Sequence, residues 1–249
     1  MALLAFNVAA DQEAHTPSYV AIIIDDIGHN KKRGERAISL PGPITFAVLP
    51  FAPYATSLSE RANSHNREVI IHLPMANLTN TPIGPGGLTD TLSKSDFLTK
   101  IDAAIQRVPH ARGINNHTGS YLTQQSKQMT WLMDDIKQRD FFFIDSRTTS
   151  KTVAHRIARE KHILSSSRDI FLDNNANYFE IDKAFQKMVR VAKRRGTAIA
   201  IGHPYSITID YLEKAIPLLA QQGIEIIPAS NLIALQQIQR LEVASALAD

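Results

Sequence analysis

Two adjacent carboxylates, Asp25 and Asp26, close an apolar run, AIIIDD at residues 21–26, and are followed by Ile27 and Gly28. A segment of this kind is expected to be a buried parallel strand, because polar and apolar residues do not alternate along it. The carboxyl ends of such strands are where α/β folds keep their chemistry. Two like charges side by side are costly unless a cation offsets them, and a metal ion is the simplest such cation. Capping of the next helix competes as an explanation, although one Asp would cap as well. Four further runs end in the same way. REVIIHLP at 67–74 carries His72, and ARGINNHTGS at 111–120 carries Asn116 and His117. FFFIDSR at 141–147 carries Asp145 and Arg147, and AIAIGHP at 198–204 carries His203. A lone His after a strand is more often structural than functional. Strand ends that all stop at ionisable or metal-ligating side chains converge only if the strands are parallel and share one face, as in a (β/α) barrel.

The elements that would hold these residues alternate regularly. Helix is expected over 31–39, 55–66, 95–108, 127–139, 151–160, 178–195, 207–222 and 232–247. Further strands are expected over 44–49, 167–172 and 225–228. The apolar stripe Phe97, Leu98, Ile101, Ala104 and Ile105 has helical spacing, with Ser93 or Ser95 as its cap. Residues 75–92 are rich in Gly, Pro, Thr and Asn and form a long loop directly after His72. Loops of that length at a site face are usually functional lids, and Asn77 and Asn80 could hydrogen-bond a sugar. No repeat and no linker divides the chain. The expectation is one α/β domain, a single irregular (β/α) barrel of roughly seven strands, over residues 19–249.

At 249 residues, with 44% hydrophobic and 20% charged content, the chain is globular with a sizeable core. The net charge is +3 and the pI near 9.1. The densest basic group, Lys193–Arg195, ends a helical stretch, where cations suit the helix dipole. No aromatic-rich nucleic-acid motif accompanies it, so no nucleic-acid partner is expected. The absence of cysteine excludes thiol catalysis, disulfides and zinc–thiolate sites, and is compatible with an oxidising compartment. Residues 1–10, MALLAFNVAA, resemble the tail of a secretory signal but lack a basic start, so residues 1–18 are expected to be an arm or a signal remnant. No stretch reaches membrane-spanning length.

Taken together, AIIIDDIG, TFAVLPFAPYA, EVIIHLPM, GINNHTGS, FFFIDSRTTS and AIAIGHP resemble the polysaccharide deacetylases, and more closely their divergent bacterial branch. The resemblance runs from about Tyr19 to Leu235. It implies a metal-dependent hydrolase that removes acetyl groups from an envelope polysaccharide, with a carbohydrate substrate and a periplasmic or secreted location. It also implies roles. Asp25 would be the general base, Asp26 a metal ligand and His203 the general acid. The family's usual second metal-binding His, four residues after the first, is Ala76 here, and His117 is the replacement. Asp26, His72 and His117 would then hold a divalent ion, for which zinc fits best. Asp145 would hold a His or Arg in register, Arg147 would pair with Asp25 or bind an anionic group, and His29 and Asn116 would lie near substrate. An ion pair between Asp145 and Arg147 beneath the site is the structural alternative. Two other functions stay open: a metal hydrolase of another bond such as a phosphoester, and a non-catalytic envelope protein that binds glycan or a protein partner on the same scaffold.

Overall fold

The structure is a computed structural model that describes residues 17–246. The expectation for residues 1–18 therefore falls almost wholly outside the described residues, and Ser18 already belongs to the first strand. In chain order the elements are β1 (Ser18–Ile27), α1 (Lys31–Ile38), β2 (Thr45–Val48), α2 (Ala55–Ser64), β3 (Glu68–Met75), α3 (Lys94–Arg107), β4 (Ala111–Thr118), α4 (Ser126–Gln138) and β5 (Phe142–Asp145). They continue with α5 (Ala154–Glu160), β6 (Ser165–Ser167), β7 (Ile170–Phe171), α6 (Tyr178–Arg195), β8 (Thr197–Gly202), α7 (Ser206–Ala215), β9 (Ile224–Ile226) and α8 (Ala229–Ala246).

The strands form one curled parallel sheet in the order β6-β5-β4-β3-β2-β1-β8-β7, with β9 also paired to β1. This is the expected irregular barrel, and its irregularity has a definite origin. The single strand expected over 167–172 is two short strands on opposite edges of the sheet. Between them the Arg168 N–H donates to the Asp145 carbonyl on the β5 side, and the next N–H, of Asp169, donates to Ile199 on β8, both at 2.9 Å. The barrel is thus closed by one crossing segment rather than by a ladder. The helix expected over 207–222 stops at Ala215, because Pro217 begins a tighter turn and has no N–H to continue the helical bonding.

Side-chain alternation sets what faces the site. In β1, Val20, Ile22 and Ile24 point outward to the helices. Ala21 and Ile23 point into the barrel with Ala47, Ile70, Phe142, Ile144, Ile199 and Ile201. The amino end of the barrel is plugged by Ala229, Leu232 and Ile233 of α8. That helix start is latched by the first residues of β2 and β3: Thr45 Oγ1 accepts from the Ala229 N–H and Glu68 Oε1 from the Ser230 N–H. The other end is left open for chemistry. Asp25, His72, Asn115 and His117 continue the inward face there.

Asp26 would point outward if the alternation held. Instead its φ is +57°, and the β1–β2 register slips between Ile24 and Ile27. This bulge turns two consecutive carboxylates toward one bowl. Gly28 then reverses the chain at φ +131°, where an added Cβ would lie 2.6 Å from Ala52 Cβ. Gly28→Ala is expected to destabilise the protein by about 1–3 kcal/mol from backbone strain alone, and more from the clash. A denaturant midpoint unchanged in that variant would refute this.

Candidate functional site

Three ligand atoms converge at the open end. Asp26 Oδ1 lies 3.1 Å from His117 Nδ1 and 3.3 Å from His72 Nε2, and the two ring nitrogens are 3.0 Å apart. Asp26 Oδ1 is buried, yet accepts no well-aligned hydrogen bond. Asn115 fixes the tautomer of His72. Its amide Nδ2 donates to Asp25 Oδ1 at 2.8 Å, so its carbonyl oxygen faces His72 Nδ1 at 2.7 Å. His72 Nδ1 must then carry the proton, which leaves the Nε2 lone pair aimed at Asp26 and His117. An orphaned carboxylate oxygen and two imidazole nitrogens on one point form a donor set that fits a divalent cation.

The electrostatics also favour a cation there. Burial pushes Asp25 above the usual carboxylate range, with the His72 and His203 charges opposing it. Burial pushes Asp26 upward too, but its contacts with His117 and His72 outweigh that and hold it far below the ordinary range. Burial disfavours a charged His72, whereas Asp25 and Asp26 more than compensate and raise its pKa. The pair of acids draws positive charge into the cluster, whether as a proton or as a metal.

His203 stands on the opposite side. Its Nδ1 lies 2.9 Å from Asp173 Oδ1, and its backbone N–H donates to Asp173 Oδ2 at 2.7 Å. Thr208 Oγ1 donates to the same Oδ2. The ring packs against Phe171 and Tyr205, with centroids 5.2 and 5.5 Å away, and its Nε2 is 3.9 Å from Asp26 Oδ2. Burial alone would lower the His203 pKa. The Asp173 bond and the neighbouring carboxylates overcome that and raise it to about 9.

Asp173 was not expected from the sequence, although IFLD at residues 170–173 ends an apolar run in an acid as the other site strands do. Asn115 was missed in favour of Asn116. Alternation decides between them: Asn116 is turned away, its Oδ1 accepting from the Ser146 N–H and its Nδ2 donating to the Thr118 carbonyl. The pairings expected of Asp145 are also not found. On the outward face of β5 it accepts from the backbone N–H of Arg147, from Thr152 Oγ1 and from the His155 N–H, holding the start of α5. Arg147 is exposed and, among the described residues, forms no ion pair. Arg168 does feel the Asp25 charge. It is half-buried, with Nε on the Ser146 carbonyl and Nη2 on that of Arg147. His29 is exposed just ahead of α1. In the long loop, Leu88 returns to bridge Met75 and is fully buried. Asn77 uses both ends of its amide inside the loop, on Thr79 and Thr81, and so is not free for a sugar.

If His203 supplies a proton, Asp173 sets the pH at which it can. Asp173→Asn removes the main contact holding the pKa up, so any alkaline limb of activity should move to lower pH. A pH–rate profile with the limb unmoved would exclude a role for the pair.

The curled parallel barrel is a fold found in other proteins. An uncharacterized protein from Agrobacterium tumefaciens C58 superposes with a TM-score of 0.82 at 20% identity, over 88% of this chain and 90% of that one. Peptidoglycan deacetylase PdaC from Bacillus subtilis, as a mutant, does so at 0.57 and 14%, over 94% and 98%. BA3943 of Bacillus anthracis, a carbohydrate esterase family 4 pseudoenzyme, does so at 0.55 and 13%, over 87% and 66%. In sequence, the chain is 36% identical over 215 residues to an uncharacterized protein of Haemophilus influenzae, covering 86% of this chain and 76% of that one. It is 34% identical over 219 residues to the uncharacterized YibQ of Escherichia coli K12, covering 88% and 68%. The divergent polysaccharide deacetylase profile matches residues 22–233, and the chain belongs to that family. Among the described residues, no helix is long and apolar enough to cross a membrane.

Proposed function

We propose that this protein hydrolyses acyl groups, acetyl above all, from a polysaccharide of the bacterial envelope, acting in the periplasm or outside the cell. The observation that carries this is the convergence of Asp26, His72 and His117 between Asp25 and His203. Asp26, His72 and His117 would hold a divalent ion, with zinc the best match to one carboxylate and two imidazoles. Such an ion supplies Lewis-acid charge at the reacting carbonyl and makes water more acidic.

The chain's own groups perform the proton transfers. Asp25 is buried and shifted toward neutrality, which suits a general base that takes the proton of the attacking water. Asn115 holds its Oδ1, so that carboxylate cannot rotate freely. His203 is protonated at neutral pH and returns a proton from Nε2 to the leaving amine or alcohol. Asp173 holds Nδ1 and stabilises the imidazolium.

A non-catalytic glycan-binding role draws support from Ala76, which stands where the family's usual second histidine would be. His117 fills that vacancy from the neighbouring strand, which favours the enzyme. The test is metal analysis of the purified protein together with acetate release from chitooligosaccharides and peptidoglycan fragments. One equivalent of metal with release that stops on chelation is expected. A metal-loaded protein that releases no acetate from any acetylated glycan would overturn the proposal.

A further inference from the structure

The chain carries a net charge of only +3, yet eight of its 27 lysines and arginines line one region. Three adjoining cavities surround the seam between β6 and β7. The first, of about 500 Å³, is lined by Arg147, Ser150, Arg156 and Arg159 among others. The second, of about 440 Å³, shares Arg147 and Ser150 and adds Arg168, Lys187, Arg194 and Arg195. The third, of about 340 Å³, shares Arg168, Asp169 and Lys187 and adds Lys183, which is paired with Glu180. In the second cavity five cations face one carboxylate, Asp169. Asp169 is already bonded to Arg195, and in the first cavity Glu160 is bonded to Arg156. Arg147, Lys187 and Arg194 are exposed and have no ion-pair partner among the described residues. So many like charges around cavities raise the local potential and concentrate anions there.

This basic seam is joined to the candidate site by one ring. The Arg168 guanidinium lies 4.9 Å from the Phe171 ring, and the Phe171 centroid is 5.2 Å from that of His203. We propose that the seam seats the anionic substituents, carboxylate or phosphate, of the glycan whose acyl group enters the site. The proposal rests on the function given above and adds the charge class of the substrate. A nucleic acid is the less suited polyanion, because bases need exposed rings to stack on. Phe171 is the one phenyl, phenol or indole ring in the three linings, and it already packs against Arg168 and His203.

Calorimetric binding of the whole chain to oligogalacturonate, phosphorylated maltooligosaccharide, neutral chitohexaose and a short DNA duplex tests this. At low salt at least one of the anionic oligosaccharides should bind ~10-fold or more tighter than chitohexaose, and the advantage should fade as salt rises. Which of the two binds tighter identifies the anionic group. A triple variant, Arg147→Gln with Lys187→Gln and Arg194→Gln, should lose that advantage. Its affinity for chitohexaose and its zinc content should stay unchanged. Equal affinity for charged and neutral glycans, or an anionic advantage that survives in the triple variant, would overturn the proposal. So would DNA binding as tight as that of the anionic glycans. Binding is read without turnover, so absent acetate release with intact anionic preference would remove the catalytic proposal alone. Acetate release from neutral glycans without that preference would remove this one alone.

Discussion

Asp25→Asn and His203→Ala should each reduce acetate release by ~10²–10⁴-fold, the usual contribution of one acid–base group. The two losses should differ in character. Asparagine keeps the shape of Asp25 and its contact with Asn115, and removes a carboxylate that is costly to bury, so the protein should fold at least as stably. His203→Ala leaves Asp173 buried without its ring partner, although the backbone N–H of residue 203 and Thr208 still donate to it. Some stability should therefore be lost together with activity. Rates measured beside denaturant curves separate the two effects. A variant retaining wild-type turnover would remove that residue from the mechanism.

His72→Ala should have the largest effect on metal binding. His72 is buried, its tautomer is fixed by Asn115, and its Nε2 faces both other ligand atoms. Loss of a partner that only orients a ligand typically lowers affinity ~10–100-fold, so loss of this ligand should exceed ~100-fold. Asn115→Ala should fall in the smaller range. Zinc affinity measured against a competing chelator gives both numbers. Stoichiometric zinc held at wild-type affinity by His72→Ala would place the metal elsewhere.

Much of this was legible because the site strands are long apolar runs with abrupt polar ends. AIIIDD, EVIIH and AIAIGH announced both their burial and the end of the barrel at which their acids and histidines converge. What was not legible depended on single-residue geometry. Asn115 and Asn116 are equivalent in composition, and only strand parity sends one to His72 and the other to Ser146. Parity also carries Asp145 outward to α5, although it ends its strand as plainly as any site residue. Asp173 lay one residue beyond the expected end of a strand that is in fact two. That division comes from Arg168 and Asp169 bonding to opposite sheet edges, a tertiary choice that no local pattern encodes. Asp26 reaches the bowl through a left-handed backbone that a β-run gives no sign of.

The placement of β1 governs when this protein can acquire its site. β1 pairs with β2, but also with β8 and β9, which come far later in the chain. A chain emerging from the ribosome carries its acid pair early, yet lacks the neighbour that closes one side of β1 and the helix that plugs the barrel. Such distant pairing is slow and leaves apolar strand edges bare while it waits. Folding therefore needs early and late segments of the barrel together, and the interval before it is when the polypeptide remains open to chaperones.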